Sequence, residues 1–227
     1  MKDFYKNKKV LITGSSGFVG SWLTFALNEI GAKLYGISLE PNTSPSLFKL
    51  LKLENKINQK YINICDVKNL EKAIKEISPN IVFHLAAQPL VRESYPRIIE
   101  TFNTNVMGTL NVLESCKKLD TKINVICITT DKCYENEEHG ERFMESDPLG
   151  GKDPYSASKA CTEIVTKSHA LSFKKLKLCT ARAGNIIGGG DWAKDRIITD
   201  IVESINNKDD IVIRNPKAIR PWQHVID

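Results

Sequence analysis

The chain has no CxxC pair, no apolar run long enough to cross a bilayer, no internal repeat and no low-complexity tract. Each absence removes a class of protein. A membrane-spanning helix needs about 20 consecutive apolar residues. Here the basic N-terminus is followed only by Val10-Leu11-Ile12 before Thr13-Gly14. That is too short for a secretory leader, so no membrane is expected and the expected compartment is the reducing cytoplasm. The six cysteines, at 65, 116, 127, 133, 161 and 179, have no metal-like spacing with the four histidines, so no metal is expected. Cys65, Cys127 and Cys179 fall at or near the ends of predicted strands and read as small buried hydrophobes. Beyond Lys6 to Lys9 there is no dense basic run, and a formal charge of +5 spread along the chain describes a solvated surface, not a nucleic-acid patch. Arginine is scarce, and four of the seven (Arg182, Arg196, Arg214 and Arg220) lie in the last 46 residues. Guanidinium forks suit phosphates, which points to a phosphorylated substrate near that end.

The first thirty residues contain a strand, a glycine turn and a helix in succession. Lys9-Val10-Leu11-Ile12-Thr13 is followed by Gly14-Ser15-Ser16-Gly17-Phe18-Val19-Gly20 and then by Ser21-Trp22-Leu23-Thr24-Phe25-Ala26-Leu27. Glycines there let backbone amides approach a pyrophosphate at a helix N-terminus. The spacing is GxxGxxG, not the GxGxxG of the standard dinucleotide fingerprint. Further strands are predicted at 32–38, 61–64, 80–85, 123–129 and 176–182, with helices between them at 70–77, 98–118 and 155–172. Such alternation implies an α/β fold, a doubly wound parallel sheet with helices on both faces. At 227 residues the chain suffices for one domain, or one domain and a fragment. Residues 135–151, rich in charge, Gly and Pro, are predicted to form a long loop at the active site.

Tyr155 and Lys159 lie four apart on the last of these helices, within Asp153-Pro154-Tyr155-Ser156-Ala157-Ser158-Lys159. A phenol with a pKa near ~10 is a poor base at neutral pH. An ammonium one turn away favours the phenolate and suits proton abstraction from an alcohol. The same spacing also occurs on ordinary solvated helices. Thr129-Thr130-Asp131-Lys132 ends the fifth predicted strand, at the rim where ligands of open α/β sheets bind. A turn or N-cap would use the same residue types. His84 and His224, in apolar stretches, read as structural.

These segments resemble the extended short-chain dehydrogenase/reductase family and, more narrowly, the CDP-glucose 4,6-dehydratases. The narrower likeness rests on Gln88-Pro89-Leu90-Val91-Arg92, Asp131-Lys132-Cys133-Tyr134, Gly188-Gly189-Gly190-Asp191-Trp192 and Arg220-Pro221-Trp222-Gln223-His224. It implies a Rossmann-type NAD-binding domain over 1–182 and the start of a sugar-nucleotide-binding region over 183–227. It also implies an internal redox cycle. Tyr155, with Thr130 and Lys159, takes the 4-hydroxyl proton of CDP-glucose as hydride passes to NAD. Asp131 protonates the departing 6-hydroxyl. Lys132 acts at C5 either as base or as an enolate-stabilising cation, where related dehydratases carry Glu.

For the cofactor the resemblance carries over Gly14, Gly17, Phe18, Val19 and Gly20 at the pyrophosphate. Asp66 and Val67 go to the adenine, and Leu85, Ala86, Ala87, Gln88, Tyr155 and Lys159 to the path toward the nicotinamide ribose. The second strand ends at Ser38, where an acidic residue normally binds the adenosine ribose, so weaker NAD binding is expected. Arg92, Ser94, Asn185, Arg196 and Arg220 are matched to the substrate. Family members pair through two long helices, so a homodimer or dimer of dimers is expected. The family pattern continues beyond Val225, so at Asp227 the nucleotide pocket is expected to be incomplete, with apolar surface exposed. Two other readings stay open, an epimerase or reductase acting on a sugar nucleotide, and an inactive nucleotide-binding protein.

Overall fold

The computed structural model of the chain describes residues 2–137, 140 and 142–227. A short helix α1 (Lys2–Tyr5) leads into β1 (Lys9–Thr13), buried from Val10 onward. Continuous burial, without alternation, marks a strand covered on both faces. The glycine turn opens α2 (Phe18–Glu29), and β2 (Lys33–Ser38) returns parallel to β1 with Ile37 opposite Thr13. Then come α3 (Leu47–Leu50), β3 (Asn58–Tyr61), α4 (Val67–Ile77), β4 (Ile81–His84) and α5 (Val91–Ser94). They are followed by α6 (Ile98–Phe102), α7 (Gly108–Lys117), β5 (Ile123–Thr130), α8 (Pro154–Ser172) and β6 (Leu176–Ala183). Beyond them lie β7 (Asn185–Ile187), α9 (Ile197–Asn207) and β8 (Trp222–His224).

Six strands form one parallel sheet in the order β3-β2-β1-β4-β5-β6. The order reverses between β1 and β4, and at such a switch point a crevice opens beyond the carboxyl ends of the strands. Each face of the sheet has its own core. Leu11, Ile37, Val82 and Val125 pack with Leu70, Ile74 and Ile77 of α4 and Val112 and Leu113 of α7. Val10, Ile12 and Leu34 face Leu27 of α2 and Phe48 of α3. Successive residues of β1 therefore anchor it in opposite layers, as the two-residue period of a strand requires.

Three local expectations change, and one pair of strands is new. The third strand is Asn58–Tyr61, three residues earlier than the apolar run at 61–64. It is the sheet's edge, where polar side chains face water, while Ile64 beyond it is buried in the core. The helix expected over 98–118 is α6, one π-helical turn at Asn103–Met107, and α7. The wide turn leaves the Asn105 carbonyl to accept hydroxyl hydrogen bonds from Thr109 and Thr162, at 2.7 and 2.9 Å. Cys179 is exposed and Cys65 only half-buried, because β6 is the other edge strand and Cys65 follows the β3 edge; Cys127, in central β5, is buried. Finally, β7 and β8 leave the main sheet and pair with each other in parallel, Asn185 opposite Trp222.

Of the loop expected over 135–151, residues 138, 139 and 141 lie outside the described residues. Its ends are pinned together, with Glu135 N donating to Pro148 O and Gly150 N to Cys133 O, both at 2.9 Å. No helix among the described residues is long and apolar enough to cross a membrane. On α9 no residue is buried, and Ile197, Ile198, Val202 and Ile205 are all exposed.

Candidate active site

The crevice begins at the glycine turn. Gly14 has φ +75°, and a Cβ there would stand 2.7 Å from Ala86 N; one on Gly20 would stand 2.1 Å from Gly14 O. Both glycines are required by close approach, Gly14 also by its left-handed backbone. Gly17 differs, since its nearest neighbour would be 3.4 Å away. It is exposed and caps α2, whose first turn carries no acidic side chain. The amides of Phe18 and Val19 have no acceptor within the helix. A bare helix N-terminus of this kind suits a diphosphate.

The next wall is set by His84 at the end of β4. Its Nδ1 lies 2.7 Å from Thr13 Oγ1 and its Nε2 2.9 Å from Thr109 Oγ1. Thr109 already donates to Asn105 O, so His84 donates from Nε2 and accepts at Nδ1. Burial, with Lys159 nearby, pushes the imidazole down to about 3, leaving it neutral. This chain ties the ends of β1 and β4 to α7. Asn105 accepts from Gln88 N at 2.8 Å and donates to Gln88 O at 3.2 Å and Ser158 Oγ at 2.8 Å. It joins the Ala86-Ala87-Gln88 segment to α8.

Asp153 starts α8 by accepting from Ser156 N at 2.9 Å and Ser156 Oγ at 2.5 Å, with Pro154 opening the first turn. Tyr155 and Lys159, both buried, follow on its inner face. Burial pushes the Tyr155 phenol up to about 12, against hydrogen bonding from Thr130 and the positive charge of Arg196. Lys159 Nζ donates to Ile128 O at 3.1 Å, and burial pushes its ammonium down to about 8. Thr130 ends β5 and donates to Asp131 Oδ1 at 3.0 Å. A single 3₁₀ turn, Asp131–Cys133, then brings Lys132 Nζ to 3.2 Å from Asp131 Oδ1 and 3.1 Å from Asn185 Oδ1. Thr130, Asp131, Lys132, Tyr155 and Asn185 therefore share one rim, with Lys159 beneath.

Other expected residues are placed differently. Ser94 is fully buried; its hydroxyl donates to Val91 O at 2.6 Å and accepts Tyr155 N–H at 3.1 Å, so it positions α8 and does not face the crevice. Asp66 caps α4, accepting from Asn69 N at 3.2 Å and Asn69 Nδ2 at 2.6 Å. Arg92 is exposed and donates to Asp195 at 2.7 Å. Arg196 pairs with Asp191 at 2.8 Å, and Arg220 is exposed at the approach to β8. The sequence reading passed over Asn105, Ser158 and Glu163. A polar residue spaced to face the core of a helix was the available signal.

A doubly wound sheet with a glycine cradle at its switch point and a Thr, Tyr and Lys set on the neighbouring strand and helix defines a dinucleotide-binding α/β protein. Its family follows from sequence: residues 10–227 match the NAD dependent epimerase/dehydratase family, and the chain belongs to it. The chain is 47% identical, over all of its length, to a CDP-glucose 4,6-dehydratase of Salmonella typhimurium. It is 30% identical, again over its whole length, to a dTDP-D-glucose 4,6-dehydratase of Dictyostelium discoideum. The chain spans 65% and 55% of the lengths of those two relatives. Among solved structures it is similar to a UDP-glucose 4-epimerase from Thermus thermophilus in complex with NAD, with 26% identity and a TM-score of 0.83 over 96% of this chain and 70% of that one. The open Gly17 amide turn and the buried Lys159 amine fit a dinucleotide of this type.

Proposed function

We propose that the chain forms the NAD-binding and catalytic part of a CDP-glucose 4,6-dehydratase, which makes CDP-4-keto-6-deoxyglucose. The observation that carries this reading is the Asp131–Lys132 ion pair seated beside Thr130 and Tyr155, because an epimerase or reductase has no elimination for such a pair to perform. The 47% identity to the Salmonella typhimurium relative supports the choice of CDP-glucose.

When bound, NAD+ would supply a two-electron acceptor for sugar C4 and the matching donor for C6. Gly14, Gly17, Phe18, Val19 and Gly20 would hold its diphosphate, Asp66 and Val67 would meet the adenine, and Leu85, Ala86, Ala87, Gln88 and Lys159 would line the nicotinamide side. Tyr155 takes the 4-hydroxyl proton, steadied by Thr130. The Lys159 ammonium offsets the phenolate that burial disfavours. Elimination then needs one proton delivered to O6 and one removed from C5. Asp131 is the acid for the departing 6-hydroxyl, and Lys132, 3.2 Å from it, acts at C5 either as the base or as the cation beside the enolate. Asn185 keeps Lys132 in place, Arg92 approaches the sugar, and Arg196 and Arg220 supply charge for the nucleotide diphosphate.

The same reading divides the chain into a Rossmann domain (1–182) and the start of a sugar-nucleotide region (183–227). It makes the protein a cytoplasmic homodimer or dimer of dimers serving deoxysugar precursor synthesis. Exposed Ile99, Met107, Ile164 and Leu171 on α6, the π-helical turn and α8 support pairing through those helices. The test is incubation with NAD+ and CDP-glucose, dTDP-glucose or GDP-mannose in parallel. Formation of a 4-keto-6-deoxy product from CDP-glucose is expected. Preferred turnover of either control would overturn the substrate, and epimerisation without water loss would overturn the reaction.

A further inference from the structure

We propose that Glu163 is a positioning residue for the reaction centre, which grips β5 beside Lys159 and, as the anion facing it, holds the amine in its charged form. The effect on turnover rests on the dehydratase reading; the placement of the charge does not.

Glu163 is 5% exposed and lies one turn after Lys159 on α8. The two side chains hold consecutive residues of one strand. Lys159 Nζ donates to Ile128 O, and the next hydroxyl, Thr129 Oγ1, donates to Glu163 Oε1. Glu163 Oε2 accepts from Thr180 Oγ1 and Arg182, each at 2.9 Å. Arg182 in turn donates to Glu145 O at 3.1 Å and lies 4.7 Å over the Tyr134 ring. One buried carboxylate thus joins the helix of Tyr155 and Lys159, the strand of Thr130, β6, and the segment that follows Asp131–Cys133.

The groups facing Lys159 leave Glu163 as the anion among them. On β5, burial pushes the Cys127 thiol up to about 11, and in the following turn it does the same to Cys133. On β4, His84 is neutral, and on α8 the Tyr155 phenol is held up to about 12, both through burial. Burial also pushes Glu163 up, but hydrogen bonds from Arg182, Thr129 and Thr180 outweigh it and keep the carboxyl below its ordinary range. Without Glu163, the buried ammonium would lose that anion while Arg182 kept its charge, and desolvation would favour the free amine.

The test is an NMR titration of protein labelled with ¹³C at lysine Cε, the Lys159 signal being identified by its loss in Lys159→Met. Glu163→Gln keeps the shape and removes the charge; Glu163→Asp keeps the charge and shortens the arm. In Glu163→Gln the Lys159 midpoint should fall by about one pH unit, and in Glu163→Asp it should stay near the parent value. The alkaline limb of kcat/KM should move with the midpoint. An unmoved midpoint in Glu163→Gln, or equal shifts in both variants, would overturn the proposal. If Glu163→Gln does not fold, the double variant Glu163→Gln/Arg182→Met leaves no unpaired charge. It should still lower the midpoint if the carboxylate one helical turn from Lys159 is what holds the amine charged; no drop there would also overturn it. A shifted titration without dehydration would leave this inference standing and sink the dehydratase reading.

Discussion

The backbone N–H of Tyr155 donates to the Ser94 hydroxyl at 3.1 Å, so the first turn of α8 is seated on α5. Both groups are buried, and the hydroxyl has a single proton, which it gives to Val91 O. Removing the oxygen leaves a buried N–H without an acceptor, at a cost of about 1–3 kcal/mol. Ser94→Ala should melt several degrees lower, and it should lose kcat while retaining NAD affinity. An unchanged melting temperature would show that the N–H finds another acceptor.

Two glycines of the turn should respond oppositely to one methyl group. In Gly20→Ala the new carbon meets a carbonyl oxygen at 2.1 Å, a backbone atom that cannot step aside. That variant should be poorly folded by circular dichroism. Gly17→Ala gains only an ordinary 3.4 Å contact. It should fold like the parent and bind NAD at least about tenfold more weakly in calorimetry, a loss near 1.4 kcal/mol.

His84 gives stability a dependence on acid. Its folded value, pushed down to about 3 by burial, lies below the ordinary 6.5 of the unfolded chain. The contribution is therefore complete above pH 6.5 and is lost as pH falls toward 3. At one proton, the loss between pH 6.5 and 5 is ~2 kcal/mol. Urea unfolding of His84→Gln, which can still donate and accept, should show a shallower fall over that interval. Parallel slopes would assign the acid sensitivity to other groups.

Tyr155 and Asp131 should separate by step. Tyr155→Phe should show no reduced cofactor at 340 nm after CDP-glucose is added. Asp131→Asn should form it and accumulate it, because elimination is slowed by 10²-fold or more when a general acid is lost. Loss of the first oxidation in both variants would refute the division of roles.

Much of this was legible in the residues. Val10-Leu11-Ile12 followed by Gly14, Gly17 and Gly20 reads as a strand, a glycine turn and a helix, and the alternation that follows gives the parallel sheet. The π-helical turn was not legible, because Asn103 to Met107 has ordinary helical composition and the widening depends on hydroxyls from α7 and α8. Asn58–Tyr61 was missed since an edge strand needs no apolar pattern. Ser94 looked like a substrate contact and Glu163 drew no notice for the same reason: whether a polar side chain faces water or the core is decided by the neighbour that packs on it.

Asn185 belongs to two structures at once. Its side chain receives Lys132, while its backbone N–H donates to Pro221 O at 2.8 Å, next to Arg220. From the guanidinium that would grip a diphosphate to the amine at the reacting carbon, the path is one peptide bond and two hydrogen bonds. If the chain acts as the proposed dehydratase, nucleotide recognition and proton transfer would share this mechanical linkage, and a sugar that arrives without its nucleotide would leave it slack.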